Sequence, residues 1–230
     1  MSSRPARTRP QIEPDHLVVA ARTLDEGVAW CEATLGVAPA PGGQHPTMAT
    51  HNRLLALNSP GFGRMYLEII AIDPDAPSPS RVRWFDLDAP ALQAAIAVSP
   101  RLVHWVARTT DIDASLVALR AAGHELGTAI AAERMTPRGP LRWRIALRDD
   151  GHRLAAGAVP LLIEWGQVHP CDDLPESGVR VSRIEIAGVA ADLAASLGVS
   201  TAPAGSAPLA VSLATARGRV ELVAAAPAAS

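Results

Sequence analysis

The fold of this chain is decided by the stretch DHLVV at residues 15–19, in which His16 lies inside an apolar run typical of a strand. A matching stretch, YLEII at residues 66–70, places Glu68 inside a similar run. The arrangement then occurs a second time, with His104 in VHWV at residues 103–106 and Glu164 in LLIEW at residues 161–165. A buried His or Glu is costly unless it is paired, hydrogen-bonded or bound to a metal. Four such residues at matched places in two segments therefore suggest one shared site.

The composition excludes several classes of protein. With 230 residues, of which 48% are apolar, the chain can form a substantial core in one large or two small domains. Its formal net charge is −2. All 21 basic residues are arginine, so Schiff-base chemistry and a phosphate-binding P-loop are excluded. There is no basic stripe interleaved with aromatic residues, which argues against a nucleic-acid partner. We expect a cytoplasmic protein without membrane association, because neither a signal peptide nor a run of about 18 apolar residues occurs.

Residues 12–75 form the first predicted module. It opens with a strand, after which Thr23 and Glu26 have the spacing of a capping box and start a helix that Gly36 ends. A loop and two further strands follow at residues 39–43, 47–58 and 64–72. The predicted order is therefore strand, helix and at least two strands.

The same order restarts after a connector at residues 76–100, which is rich in Pro, Asp and Ser. The second module spans residues 101–170, and aligning the two histidines without gaps superposes the apolar helix positions Val28 and Leu116. A shortened third module is predicted at residues 178–226. Its first strand carries Glu185 where the others carry a histidine. We also expect disorder in residues 1–11 and after Pro227.

Several phrases of the sequence resemble one known family. They are DHLV at residues 15–18, HNRLL at 51–55, YLEI at 66–69, RWF at 83–85, and the segment from Trp165 through His169 to Pro175. The chain resembles the vicinal oxygen chelate superfamily over residues 13–175, and within it the glyoxalase-like domain proteins. That superfamily includes glyoxalase I, the extradiol dioxygenases, methylmalonyl-CoA epimerase and the bleomycin-resistance proteins. The resemblance implies an α+β fold in which paired βαβββ modules form a cup-shaped mixed sheet, here followed by the shortened third module.

The resemblance also implies one divalent metal ion in the cup, held by the first and last strands of each module. Carried over position by position, the ligands are His16, Glu68, His104 and Glu164. Two imidazoles and two carboxylates suit Zn, Ni, Co, Mn or Fe(II). The resemblance further implies a catalytic proton-transfer role for Glu164 or Glu68, if one of them detaches from the metal during turnover.

Three functions follow as alternatives. The first is a metal-dependent lyase or isomerase of the glyoxalase-like type, acting on a small oxygenated substrate. The second is an Fe(II) extradiol-type dioxygenase, for which His51 is the candidate base. The third is a non-catalytic protein that binds or sequesters a small ligand. In each case the partner is a small molecule, and a homodimer is permitted but not required because one chain contains both modules.

Other polar residues are secondary candidates. We expect His51, Arg53 and Arg144 to be the residues that contact substrate, with His45, Arg83 and Arg142 as further options. Trp84 and Trp105 are expected in the core. The remaining histidines lie in loop-like stretches and are expected at the surface; they are His124, His152 and His169.

Overall fold

The structure, a computed structural model, describes residues 11–57, 59, 61–136 and 138–224. The predicted tail after Pro227, and all but the last residue of the arm predicted for residues 1–11, lie outside that range. The helices and strands follow one another as β1 (Ile12–Ala20), α1 (Leu24–Leu35), β2 (Ala40–His45), β3 (Thr50–Ala56), β4 (Tyr66–Ile72), α2 (Pro90–Val98), β5 (Arg101–Thr109), α3 (Ile112–Ala121), β6 (Thr128–Thr136), β7 (Gly139–Leu147), β8 (Leu161–Trp165), β9 (Arg180–Ile186), α4 (Ala191–Ser196), β10 (Ser200–Thr201), β11 (Leu209–Thr215) and β12 (Gly218–Ala224).

The first eight strands form one mixed sheet in the order β2-β3-β4-β1-β5-β8-β7-β6. The first strands of the two modules, β1 and β5, run antiparallel at its centre, and each pairs in parallel with the last strand of its own module. The sheet curves into a nearly closed cup whose two edges, β2 and β6, approach each other. The predicted fold class of paired βαβββ modules is therefore confirmed.

Alternation along the strands divides the core into two clusters. Side chains on the concave face include Val18, Ile70 and Ile163, and they pack with residues of the connector. The opposite, convex face carries Leu17 and Trp105 and is covered by α1 and α3. Because both faces are buried, the central strands are apolar on both sides, as the sequence runs are.

The third module has its own four-stranded sheet, ordered β10-β9-β11-β12. Its apolar side chains join the convex cluster, so this module packs on the back of the cup and does not line the interior. Arg217, in the turn between β11 and β12, donates hydrogen bonds to the carbonyls of Glu32 and Ala33 near the end of α1, at 3.0 and 2.9 Å. The Glu32 carbonyl also accepts from the Gly36 N–H, and the last carbonyls of a helix otherwise lack partners within it.

Helix α1 begins after Thr23 and ends at Gly36, as the sequence predicted. The hydroxyl of Thr23 accepts a hydrogen bond from the Glu26 amide at 3.2 Å, and Gly36 ends the helix with a φ of 82°. Gly27 lies so close to the sheet that a Cβ there would be 2.4 Å from Cγ2 of Ile69. A larger residue at position 27 would therefore separate α1 from β4.

One element of the first module differs from the sequence prediction. Residues 39–43 were predicted as a loop because they contain Pro and Gly, yet β2 spans Ala40–His45. β2 is an edge strand with an irregular register against β3, and edges and bulges are where sheets tolerate Pro and Gly. No helix in the described part of the chain is long and apolar enough to cross a membrane.

Candidate functional site

The two predicted histidines are related by the symmetry of the central strand pair. His16 on β1 pairs with Val106 on β5, and Val18 on β1 pairs with His104 on β5. Both histidines therefore occupy equivalent places in the two modules. Both are also almost completely buried.

The two predicted glutamates are not equivalent in the same way. Glu68 pairs with Val18, two residues beyond His16, and its side chain lies on the concave face. The residue paired with Val106, two residues beyond His104, is Leu161. Leu161, and not Glu164, is thus the counterpart of Glu68, so the second module has no carboxylate at that place.

Glu164 lies three residues further along β8, on the convex face. Its Oε2 accepts a hydrogen bond from the backbone N–H of Ile112 at 2.8 Å, at the start of α3. A carboxylate is well placed there because a helix N-terminus has unpaired N–H groups and a positive end. The expectation that Glu164 shares a site with His16 and Glu68 is therefore not met, and its position indicates a role in holding α3 against the sheet.

His104 is separated from the other predicted ligands. Trp84 and Phe85 border both the small space around His104 and the space that His16 and Glu68 line, so the connector places two aromatic rings between them. The Phe85 ring centroid is 5.4 Å from that of His104. Neither ring nitrogen of His104 has a hydrogen-bond partner in the described structure.

The pKa of His104 is lowered to about 3, mainly by burial and secondly by the charge of Arg153. The backbone of Gly157 approaches this imidazole but does not form a hydrogen bond of acceptable geometry. His104 is therefore a neutral imidazole at physiological pH.

His16 is held by a buried carboxylate. Asp15 lies at an irregularity in the β1–β5 pairing, which lets neighbouring side chains depart from strict alternation. Its Oδ1 is 2.6 Å from Nδ1 of His16, and its Oδ2 is 3.0 Å from Nε2 of His169 and 3.1 Å from Nε1 of Trp165. The ring of His16 also stacks on Tyr66, with centroids 4.5 Å apart. His16 therefore presents Nε2, its free nitrogen, to the cup.

The charge state of Asp15 follows from these contacts. Burial alone raises the pKa of Asp15, but the hydrogen bonds and charges of His16 and His169 outweigh it and hold the pKa well below its usual range. Asp15 is therefore ionised. His169 was predicted at the surface, and this prediction is wrong because the imidazole is buried against Asp15.

Glu68 is held by an amide. Nδ2 of Asn52 donates to Oε1 of Glu68 at 2.6 Å, while Oδ1 of Asn52 accepts from the Gly43 backbone N–H at 2.8 Å. The second contact fixes which end of the amide faces Glu68. Oε2 of Glu68 has no hydrogen-bond partner among the described residues, and His16 Nε2 lies 3.7 Å from it. One oxygen of this buried carboxylate is thus fixed and the other is free.

His45 completes the polar cluster. Its Nε2 is 3.4 Å from Asn52 Nδ2 and 3.9 Å from Glu68 Oε1, and its Nδ1 is 3.1 Å from the Thr50 hydroxyl. Burial is the main cause that lowers the pKa of His45 to about 4, against the opposing charge of Glu68. A neutral His45 that accepts from the amide carries its proton on Nδ1, where it donates to Thr50.

The residues present do not fit the predicted four-ligand metal centre. Only His16 and Glu68 face each other, and Asp15 supports His16 as carboxylates often support metal-binding histidines. His45 is close, but the Asn52 N–H group already faces both Glu68 Oε1 and His45 Nε2. Within the described ranges no three His, Cys, Asp or Glu side chains are grouped so that they could hold a metal ion.

Of the three predicted substrate contacts, Arg144 borders the mouth of the cup, whereas His51 and Arg53 do not line it. His51 and Arg53 alternate with Asn52 on β3 and so point away from the concave face. His51 Nδ1 is 3.9 Å from Asp73, and Arg53 donates only to a backbone carbonyl. The guanidinium of Arg144 is bonded to Asp113 at 2.9 and 2.8 Å. The base that the dioxygenase alternative needs is therefore not supplied by His51.

The interior of the cup contains two adjoining spaces. The narrow base, about 30 Å³, is lined by the polar cluster, and the wider mouth, about 660 Å³, is mainly apolar. The residues that border both are His45, Trp84, Trp143, Ile145 and Trp165. A volume of this size is typical of sites for small molecules.

Three residues at this site were missed by sequence reasoning. Asn52 stood within the HNRLL phrase, but nothing in the phrase showed that Asn52 faces inward while His51 and Arg53 do not. Trp84 is buried in the core, as expected, but that it also borders the cavity was not expected. Arg134 on β6 is half-buried and lines the base of the cup. The available sequence signal for Arg134 was the alternation of buried and exposed residues along β6 and β7, which could have shown which residues face the cup.

One of the solved structures compared with this chain has a TM-score above 0.5 and so shows a common fold. A hypothetical protein from Staphylococcus aureus is similar over 93% of this chain and 86% of its own, with 14% identity and a TM-score of 0.53. Methylmalonyl-CoA epimerase from Streptomyces coelicolor, in complex with 2-nitronate-propionyl-CoA, matches 68% of this chain and 96% of its own, with 20% identity and a TM-score of 0.42. The epimerase from Mycobacterium tuberculosis matches 71% of this chain and 93% of its own, with 17% identity and a TM-score of 0.39.

No curated protein matches the chain. The family model described as the glyoxalase-like domain matches residues 15–202, which include all of the cup except the first three residues of β1, and the start of the third module. This range covers most of the sequence and contains His16, Asn52 and Glu68. The chain therefore belongs to the glyoxalase-like domain family.

Proposed function

We propose that this protein is a lyase or isomerase that moves a proton on a small oxygenated substrate, with the carboxylate of Glu68 as the proton-transfer group. One observation carries the proposal. Glu68 is 5% exposed at the base of a ligand-sized cup, with one oxygen fixed by Asn52 and the other without a hydrogen-bond partner in the described structure. A general base needs such a free oxygen within reach of the substrate proton.

The surroundings of Glu68 support this assignment. The free Oε2 faces Nε2 of His16 at 3.7 Å, so a small movement would allow the proton to pass between them. Asp15, bonded to the opposite nitrogen of that imidazole, holds the ring so that Nε2 faces Glu68.

The reaction that such a site performs balances within the substrate. Glu68 takes a proton from a carbon next to a carbonyl, and the electron pair of the broken C–H bond moves into the carbonyl to give an enolate. Return of the proton at another position completes an isomerisation, and departure of a group from the neighbouring carbon completes an elimination. The developing charge on the enolate oxygen needs a hydrogen-bond donor or a cation beside it.

Deuterium exchange tests the proposal directly. The full chain is incubated in D₂O with a panel of 2-oxo acids and 3-oxo thioesters, and loss of the acidic C–H signal is followed by NMR. Glu68→Gln keeps the size of the side chain and should slow exchange by about 100-fold or more, the usual contribution of a general base. Arg53→Gln, a change next to Asn52 but outside the cup, should leave the rate unchanged. Exchange by Glu68→Gln as fast as by the unaltered protein would overturn the assignment.

A second candidate function is non-catalytic binding of a small ligand, which the apolar mouth of about 660 Å³ favours. Saturable binding of panel members without any exchange of their acidic protons would support this function over the first. The two candidates make opposite predictions for the exchange experiment, so one measurement separates them.

A further inference from the structure

The cup contains an arginine without an ionic partner. Arg134 on β6 lines the narrow base beside Glu68, yet its guanidinium makes no hydrogen bond and no ion pair within the described ranges. Tyr66 and Glu68 affect it only at longer range, while its burial lowers its pKa. An arginine remains charged in proteins, so this half-buried cation lacks a close anion.

Neighbouring arginines on the same hairpin show the usual arrangement. Arg142 on β7 is paired with Glu133, with Nε and Oε2 2.9 Å apart, and its side chain is 66% exposed. Arg144 is bonded to Asp113. Both border the mouth of the cup, but a neighbouring carboxylate neutralises the charge of each. Arg134 differs because it turns toward the interior, where the aromatic wall of the mouth begins.

The position of the Arg134 guanidinium is set by a glycine. A Cβ on Gly43 would lie 1.8 Å from Nη1 of Arg134. β2 therefore leaves a gap that the guanidinium fills at the point where the two edges of the sheet approach. The gap holds the planar group at the narrow base of the cup, which His16 and Glu68 also line.

The rest of the mouth is aromatic. Trp143 and Trp165 lie with ring centroids 5.8 Å apart, and Trp84 borders the same space. Aromatic walls favour an aromatic ligand, which packs against them edge-to-face or offset. A single unpaired guanidinium matches one carboxylate, which it can bind through two parallel hydrogen bonds.

We propose that the cup binds a planar aromatic carboxylate, with the carboxylate on Arg134 and the ring against Trp84, Trp143 and Trp165. The inference names the substrate class of the site proposed above, so it rests on that function for its catalytic meaning. The binding itself does not require turnover. The ligand carboxylate neutralises Arg134, and the substrate carbon that loses a proton then lies on the Glu68 side of the base.

Calorimetry with three probes tests this proposal. Benzoate, benzamide and cyclohexanecarboxylate are similar in size, but benzamide lacks the charge and cyclohexanecarboxylate lacks the aromatic ring. The full chain should bind benzoate about 10-fold or more tightly than either of the others. No saturation by benzoate up to ~10 mM, or equal affinity for benzoate and benzamide, would overturn the proposal. Equal affinity for benzoate and cyclohexanecarboxylate would overturn its aromatic part.

Two variants test whether the carboxylate of benzoate binds to Arg134. Arg134→Gln should weaken benzoate binding by about 10- to 100-fold, which corresponds to one charge-assisted pair of hydrogen bonds. Gly43→Ala keeps the charge but displaces the guanidinium, and it should also remove the preference for benzoate over benzamide. The control is Arg120→Gln, at an exposed arginine of α3 that is paired with Glu125 away from the cup, and it should retain that preference. Equal losses in Arg134→Gln and Arg120→Gln would show that only general charge is involved and would contradict the site.

Benzoate binding by the Glu68→Gln variant, compared with deuterium exchange, tests this inference separately from the proposed function. Glu68→Gln should bind benzoate at least as tightly as the unaltered chain, because it removes a negative charge from the base of the cup. If benzoate selectivity is found but deuterium exchange is not, the anion site stands and the proton-transfer function fails. If exchange is found without selectivity for benzoate, the reverse holds.

Discussion

The amide nitrogen of Asn52 lies 2.6 Å from Oε1 of Glu68 and ties β3 to the one carboxylate at the base of the cup. The same amide accepts a hydrogen bond from Gly43 on β2, so a single side chain joins three strands of the first module. It also fixes the orientation of Glu68 and leaves the second oxygen open. The geometry of the proposed base therefore depends on a residue that takes no part in proton transfer itself.

Replacing Asn52 by Leu should reduce both stability and exchange. The change removes a hydrogen bond to a buried carboxylate, and such bonds contribute about 1.5–3 kcal/mol. We expect the free energy of unfolding in urea to fall by about 2 kcal/mol or more. Arg53→Leu, the neighbouring position on the outer face, is the control and should change stability by much less. Equal stability of the Asn52→Leu variant and the unaltered protein would mean that the amide contact is not formed in solution.

Mild acid should destabilise the protein by more than the protonation of its surface carboxylates alone would cause. The folded-state pKa values of His45 and His104 are about 4 and about 3, against 6.5 for exposed histidine. The unfolded chain therefore binds protons below pH 6.5 that the folded chain does not, and stability is lost as the pH falls from 6.5. Each pKa unit corresponds to about 1.4 kcal/mol, so acidification to pH 4 should remove about 3 kcal/mol per histidine.

Urea unfolding at pH 7.5, 6 and 4.5 checks this expectation. The free energy should change little above pH 6.5 and fall steadily below it. Asp15, whose pKa is also lowered, contributes in the same direction but only as the pH falls below about 4. A free energy that stays constant between pH 6.5 and 4.5 would contradict the burial of both imidazoles.

The sequence predicted the architecture well because the repeated pattern of strand, helix and strands is long and occurs twice. His16 and Glu68 were expected to meet, and the structure brings them to 3.7 Å. Glu68 is paired with Val18, two positions along β1 from His16, so the alternation of side chains puts His16 and Glu68 on one face. Local pattern was therefore sufficient to place these two residues.

Pattern alone failed for Glu164 and His104, for two physical reasons. The run at residues 161–165 is buried on both faces, so it lacks the alternation that shows which side chains face the cup, and a shift by one residue reverses the face. His104 has the predicted direction, but Trp84 and Phe85 of the connector separate it from Glu68. The path of a connector without periodicity depends on tertiary packing and could not be derived from its composition.

The protein should not require a divalent metal for its stability. Leu161 occupies the place of the second carboxylate, and Glu164 holds the start of α3. A metal at 100 times its dissociation constant would add about 2.7 kcal/mol to the folded state. Because the predicted ligands do not converge, we expect the Tm to change by less than about 1 °C on addition of EDTA or of Zn, Ni, Co, Mn or Fe(II) salts.

Glu68→Gln is the control for that measurement. If a metal does bind at the base of the cup, a divalent salt should raise the Tm of the unaltered chain but not that of the variant. A rise confined to the unaltered chain, together with about one metal per chain in elemental analysis, would contradict the expectation and restore the ligand role of Glu68.

Replacing His104 by Leu should stabilise the protein. Both nitrogens of this buried imidazole lack partners, and an unpaired buried polar group costs about 1–3 kcal/mol that an apolar side chain of similar size avoids. The leucine would pack against Phe85 and Leu161, and the loss of stability between pH 6.5 and 4.5 should become shallower because one depressed pKa is removed. The contrasting variant is His45→Leu, which breaks contacts with Thr50 and Asn52 and should destabilise the fold. If His104→Leu instead loses stability by as much as His45→Leu, then His104 has a partner in solution, and the separation of the two halves of the cup by Trp84 and Phe85 is incomplete.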